Sequence, residues 1–310
     1  MKISTSTGAI IHLCGLKDAM QILADAGFDA VDHTISQNSV DWDTEFFRNT
    51  TAPAFAEYFK GIAKTTRGCG LEMYQCHAPY APTYLSDMRM YTLLQKHIIR
   101  SIYAAGYMEC PMIVAHPVLH AGFVNGQNRE LARQTTLDHF ATMIPALRDT
   151  GVTMCIENLF FDMSRNAPKA PAFCSDAEDL CDVIDTLNDM YGPHFAACLD
   201  TGHAALVQRD PGKMAKILGS RLQTLHINDN HGFSDEHLAP TRGMLDWKEI
   251  VQALGEINYP GTFNFEIDSY FTDFPKDIYG RTTLEHACRL LYEIGRSLAD
   301  IAEGNRSTAE

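Results

Sequence analysis

A chain of 310 residues can hold one large α/β domain or two average ones, and 45% hydrophobic with 21% charged residues excludes disorder and coiled coil. The net charge of −14, with no Lys/Arg block, disfavours nucleic acid and anionic membranes as partners. No stretch reaches the roughly 18 apolar residues of a membrane span, and MKISTSTGAIIHL lacks the apolar run of a secretory signal, so a cytoplasmic protein is expected.

Short apolar runs alternate with amphipathic segments along the whole chain. Strand 2–9 precedes helix 16–27, strand 30–35 precedes helix 53–68, strand 72–78 precedes helix 86–105, and strand 112–117 precedes helix 128–149. Strand 152–158 then pairs with helix 176–191, 196–202 with 211–219, 222–228 with 246–258, and 262–267 with 282–302. Ser175-Asp176 is a helix start signal, and Gly151 and Gly192 are stop signals. Eight strand–helix units in slightly more than ~250 residues are the repeat of a single (β/α)8 TIM barrel over 1–303, with GNRSTAE (304–310) as its tail. The other arrangement such alternation allows, a doubly wound sheet, usually opens with a Gly-rich phosphate turn, and TGAIIHLCG is not one. The nine cysteines form no CxxC pair and several sit in apolar runs, which fits reduced buried thiols.

In a barrel all strand C-termini open into one mouth. Strands three to eight end at His77, His116, Glu157, Asp200 (with His203 just beyond), His226 and Glu266. Three carboxylates cannot all stay ionised in a narrow mouth without a counter-charge, and a divalent cation supplies it. Two Glu, one Asp and one His are a mainly oxygen donor set, suited to Mn²⁺ or Mg²⁺ while admitting Zn²⁺ or Co²⁺. His33, after Asp32 on strand two, is expected to face the mouth and touch substrate, and Phe160-Phe161 to wall the pocket. His97, His139, His194 and His286 fall in or beside helix patterns and are read as packing or surface residues.

The motifs CIENLF, CLDTGHAAL, LHINDN…DEHLAPTRGMLDW and FNFEI resemble, in order and spacing, those of xylose-isomerase-like barrels that include sugar phosphate isomerases/epimerases and apurinic endonucleases. The resemblance covers residues 72 to 268 and implies one divalent ion, Mn²⁺ above others, on Glu157, Asp200, His226 and Glu266. It also implies His203 as a substrate-contacting histidine. Ketohexose 3-epimerases of this kind place an arginine shortly after the seventh-strand histidine, where this chain has NDNHGF and no arginine before Arg242. His77, His116, Asp235 and His237 resemble the further zinc ligands of endonuclease IV, so a three-zinc DNA-repair enzyme is the rival. The acidic loop SQNSVDWDTEFFRNTTAP (36–53), with one arginine and three acids, speaks against it.

The expected activity is therefore a sugar isomerase or epimerase in which Glu157 and Glu266 exchange a proton beside a carbonyl through an enediolate. A lyase or dehydratase begins with the same proton abstraction, and a sugar-binding barrel without catalysis is the non-enzymatic alternative. The partner is a small sugar or sugar phosphate, with Arg165, Lys169 and Arg281 as loop cations that a phosphate could meet. A homo-oligomer is compatible with the sequence.

Overall fold

A computed structural model describes residues 1–35, 48–79, 88–162, 169–272 and 280–306. Eight parallel strands form the sheet: β1 (Ile3–Ser6), β2 (Ala30–Thr34), β3 (Glu72–His77), β4 (Met112–Ala115), β5 (Thr153–Glu157), β6 (Phe195–Asp200), β7 (Leu222–His226) and β8 (Phe263–Phe265). Each pairs with its sequence neighbour, and β1 pairs with β8. The remaining seam between β7 and β8 is spanned by one parallel bridge, Ile227 to Phe265, with Ile227 N donating to Asn264 O at 2.8 Å. This is the (β/α)8 TIM barrel that the alternation of elements implied.

The helices are α1 (Gly8–Cys14), α2 (Leu16–Ala26), α3 (Pro53–Gly68), α4 (Met88–Met108), α5 (Arg129–Ala141), α6 (Ile144–Thr150), α7 (Ala177–Tyr191), α8 (Thr201–Leu206), α9 (Pro211–Leu218), α10 (Trp247–Glu256), α11 (Asp268–Thr272) and α12 (Arg281–Gly304). Three readings of the sequence need correction. The first strand stops at Ser6, because GAIIHLC closes helical hydrogen bonds (Ile11 N to Thr7 O, 3.0 Å) and forms α1. The segment 128–149 is two helices, and Pro145, which has no N–H to donate, sits in the first turn of α6, where none is needed. A short antiparallel ribbon, Phe160–Phe161 against Ala170–Pro171, caps one side of the mouth and was not anticipated. No helix among the described residues is long and apolar enough to cross a membrane.

The main core lies between the outer sheet face and the helices: Ile113, Ala115, Met154, Ile156, Leu199 and Leu225 point outward into it. The barrel interior is more polar than that shell. Val114, Cys155, Ala196 and Cys198 form its apolar part, while Ser4 Oγ lies 2.8 Å from both Thr262 Oγ1 and Asn264 Oδ1. None of the nine cysteines forms a disulfide.

Two bulges set which side chains face inward. Asp32 pairs with Gln75 directly after Val31 pairs with Met73, so Tyr74 is an extra residue in β3. Cys198 pairs with Thr224 directly after Ala197 pairs with Leu222, so Gln223 is extra in β7. A one-residue shift flips every following side chain to the other face of a strand. These shifts therefore fix the parity that brings Gln75 level with Asp32 and His226 level with Asp200.

The α12 helix packs closely on the barrel: a Cβ on Gly295 would meet Phe265 Cε2 at 2.7 Å and Ile3 Cγ2 at 3.1 Å. A helix-interior Gly→Ala gains about 1 kcal/mol of helix propensity, but overpacking against a buried ring costs about 1–3 kcal/mol. Gly295→Ala is therefore expected to lower the thermal midpoint. Gly61→Ala, in α3 with nothing within 4 Å of the added Cβ, is expected to raise it. Thermal denaturation of the two variants side by side checks both signs.

Candidate metal centre

Glu157, Asp200 and His226 are the last residues of β5, β6 and β7, and Glu266 follows β8 by one residue. One ligand atom from each of these four lies within 4.8 Å of the others. Strand alternation, with the extra residue Gln223 setting the parity of β7, turns them into the mouth together. His226 Nδ1 stands 2.9 Å from Glu157 Oε1 and 3.1 Å from Glu266 Oε2. Glu157, Asp200 and His226 are fully buried, whereas the Glu266 side chain is 18% exposed.

Neighbouring asparagines hold the set in place. Asp200 N donates to Asn158 Oδ1 at 2.7 Å and Asn158 Nδ2 donates to Asp200 O at 2.9 Å, tying the ends of β5 and β6. Asn228 Nδ2 donates to Asp200 Oδ2 at 2.8 Å, and Asp200 Oδ1 caps α8 by accepting from His203 N at 2.6 Å. Gly202 permits this: a Cβ there would fall 1.7 Å from Asn228 Oδ1.

The donors are covered by a cavity of about 530 Å³, in the range of small-ligand pockets. Ala78, Pro79, Leu159 and Phe160 give it an apolar wall, and Phe160 meets the His203 ring edge-on at 5.1 Å. Asp162, Asp235, Glu266 and Asp268 lie around the rest. No Lys or Arg lines it among the described residues.

The chain's likenesses agree with this architecture. Residues 20–294 match the model of the xylose isomerase-like TIM barrel family. The chain belongs to that family. It is 32% identical over 80 residues to D-psicose 3-epimerase of Enterocloster bolteae, covering 26% of this chain and 25% of that protein. It is 33% identical over 113 residues to fructoselysine 3-epimerase of Escherichia coli O157:H7, covering 36% and 40%. The chain spans between a quarter and about three fifths of the length of the first curated relatives it matches. In fold it superimposes on a D-tagatose 3-epimerase-like protein with a TM-score of 0.68 at 19% identity, covering 98% of this chain and 99% of that one.

Within this xylose isomerase-like barrel, the remaining histidines gather around the same carboxylates. His116 Nε2 lies 2.9 Å and His77 Nε2 3.3 Å from Glu157 Oε2, and His203 Nδ1 lies 3.4 Å from Glu157 Oε1. His203, Asp235 and His237 form a second cluster, with His237 Nε2 3.0 Å and His203 Nε2 3.5 Å from Asp235 Oδ2. His237 adopts φ 49°, left-handed backbone that strains a non-glycine residue and recurs at functional sites.

Electrostatics follow from burial and from these pairings. Burial pushes the Glu157 carboxyl up, but the imidazoles of His226 and His116 outweigh it and hold it well below the usual range. Glu266 is likewise pushed up by burial and held low by His226. Asp200 is the exception: burial raises it to about 7, with Glu157 and Glu266 adding repulsion that His203 only partly relieves. Burial works against the charge on His237, yet Asp235 lifts it to about 10. A divalent ion entering this cluster would have to displace protons held there.

Other sequence expectations are placed as follows. His33 does not line the cavity: strand parity turns it outward, where its Nδ1 lies 3.4 Å from Thr7 Oγ1 and burial lowers it to about 4. Asp32, one residue earlier, takes the inward position. The sequence signal for it is an acid directly after the apolar pair Ala30-Val31. Phe160 walls the cavity, while Phe161 packs beneath it with Leu119, Val124 and Leu159. Lys169 pairs with Asp162 at 2.8 Å and its ammonium sits 5.7 Å over Phe160; its side chain is 7% exposed. Arg281 is exposed on α12, paired with Asp18 and Glu285. Arg165 and most of the acidic second loop, 36–47, lie outside the described residues. His97 and His139 are buried residues of α4 and α5, and His194 and His286 lie away from the cavity.

Proposed function

We propose that the protein is a divalent-metal-dependent sugar epimerase or isomerase acting on an unphosphorylated ketose, aldose or cyclic keto-sugar. The observation that carries this reading is the convergence of Glu157, Asp200, His226 and Glu266 beneath a sugar-sized cavity onto which Glu266 opens. The names of the relatives, D-psicose 3-epimerase and fructoselysine 3-epimerase, support it. Three carboxylates and one imidazole fit a hard divalent ion, Mn²⁺ best, with Mg²⁺, Co²⁺ or Zn²⁺ as alternatives.

When bound, such an ion polarises a carbonyl and an adjacent hydroxyl of the sugar. Glu266, the one carboxylate of the four-residue cluster that lines the described cavity, takes or returns the proton on the carbon beside the carbonyl. Glu157, which reaches the same cluster from the end of β5 while Glu266 reaches it from beyond β8, is the partner assigned to the opposite face. His203 donates from Nδ1 to Asn158 O at 2.9 Å, which turns Nε2 toward Asp235 and the cavity to hold a sugar hydroxyl. Phe160 offers an apolar face to the C–H side of the ring.

Charge supports a neutral substrate. Four carboxylates and no Lys or Arg line the described cavity, and Lys169 is committed to Asp162. A phosphate of charge about −1.5 to −2 would meet repulsion, with no guanidinium or ammonium among the described lining residues to receive it. The test is NMR of metal-replete protein in D₂O with free ketoses, aldoses and keto-glycosides, and with their phosphates. An epimer or isomer carrying solvent deuterium is expected from a neutral sugar. A product lacking the elements of water would make the enzyme a dehydratase, and faster turnover of phosphates would overturn the charge argument.

One observation favours a second reading, the three-zinc nuclease: His77 with Glu157 and His226, and His203 with Asp235 and His237, also cluster within 4.8 Å. The net charge of −14 opposes DNA binding. About one metal per chain in protein purified without chelator supports the sugar enzyme. About three zinc ions, with cleavage of an abasic duplex at low salt, would establish the nuclease.

A further inference from the structure

Asp32 is a carboxylate with 1% exposure inside the barrel, a placement that costs several kcal/mol unless partners offset it. Its partners converge on one oxygen. Asp32 Oδ2 accepts from Gln75 Nε2 of β3 at 2.9 Å and from Asn264 Nδ2 of β8 at 3.1 Å, and it lies 3.1 Å from His226 Nε2 of β7. The two amides fix the oxygen from both sides, so its position is set before the histidine reaches it.

A carboxylate oxygen only accepts, so the facing ring nitrogen Nε2 carries the proton. The other nitrogen, Nδ1, faces Glu157 Oε1 and Glu266 Oε2 at 2.9 and 3.1 Å; without a metal it donates to them, and that proton is the one a cation held by those carboxylates would replace, leaving Nε2–H on Asp32. We propose that Asp32 is a positioning residue that holds His226 as the Nε2–H tautomer, so that Nδ1 is the ligating nitrogen. The proposal rests on the metal-dependent reading above. A carboxylate behind a metal-bound imidazole fixes ring orientation and strengthens the ligand, and its loss typically costs 10–100-fold in metal affinity.

A purely structural role makes a different demand. If Asp32 only satisfied the buried amides of Gln75 and Asn264, replacing either partner would disturb the site as much as replacing Asp32 itself. The Asp32→Asn amide can offer an N–H to His226 Nε2, which moves the ring proton to Nδ1 and closes the ligating nitrogen.

The experiment titrates Mn²⁺ into chelator-treated full-length wild type, Asp32→Asn and Gln75→Leu by calorimetry, with thermal denaturation of the metal-free proteins. Asp32→Asn is expected to bind Mn²⁺ 10–100-fold more weakly than wild type. Gln75→Leu is expected to lose metal-free stability but keep affinity within about threefold, because two donors still hold Asp32. Equal affinity in wild type and Asp32→Asn, or equal losses in both variants, overturns the proposal. A third measurement needs no variant: ¹⁵N spectra of Mg²⁺-loaded wild type should show His226 protonated at Nε2, and protonation at Nδ1 overturns the assignment. Wild type that binds neither ion would instead sink the metal reading itself.

Discussion

Asp200→Asn is expected to lose the divalent ion and turnover together, with Mn²⁺ affinity falling by at least ~100-fold and catalysis by ~10³ or more. Asp200 supplies one of three carboxylates to the cluster, and it is the one that burial raises to about 7 without the ion. An acid whose folded pKa lies above its unfolded value costs the metal-free fold stability as pH rises from the unfolded value through 7. The amide substitution removes that cost but loses the hydrogen bond from Asn228 Nδ2. These changes oppose one another, so the metal-free variant should melt within a few degrees of wild type. Loss of metal with retained fold separates ligation from packing. Full metal occupancy in the variant would remove Asp200 from the ligand set.

The same groups fix the pH dependence of metal binding. Below about pH 7 Asp200 takes up a proton, and His226, which burial lowers but Cys198 and Glu157 raise well above its ordinary value, holds one already. The ion must displace both, so apparent affinity should fall as pH drops, by about tenfold per unit for each proton released. Calorimetry in buffers of different ionisation enthalpy counts those protons. Affinity flat between pH 8 and 6 would contradict the arrangement.

The strand-end positions were legible because a parallel barrel turns sequence order into spatial order. Each of these residues closes an apolar run, and Glu157, Asp200, His226 and Glu266 needed no knowledge of loops to be brought together. The errors share one physical origin, a local register that composition does not encode. Nothing in MYQCH or LQTLH announces that Tyr74 or Gln223 is an unpaired extra residue. At β2 an imidazole at the strand's end drew attention from the buried acid beside it, and parity decided for Asp32. The boundary of β1 was overrun for a related reason: TSTGAII suits a strand or a helix start, and only the hydrogen bond from Ile11 to Thr7 resolves it.

Glu266→Gln is expected to suppress solvent exchange of the substrate proton by ~10²–10⁴-fold, the usual contribution of a general acid or base, while sugar binding changes only a few-fold. The reason lies in unequal access. Both oxygens of Glu157 are occupied by imidazoles, His77 and His116 on one and His203 and His226 on the other, and the side chain is fully buried. Glu266 faces His226 on one side and the cavity on the other. A base must come within about 3 Å of the proton it removes, and of the two carboxylates this one has the open approach. Epimerisation needs a donor on each face, so Glu157→Gln should leave exchange at the Glu266 face measurable while stopping net inversion. That outcome requires Glu157→Gln to retain metal, which the same calorimetry establishes. Deuterium incorporation in D₂O, followed carbon by carbon, separates the two faces. If product forms with the original hydrogen retained and moved to the adjacent carbon, a hydride shift is operating and neither carboxylate is the base.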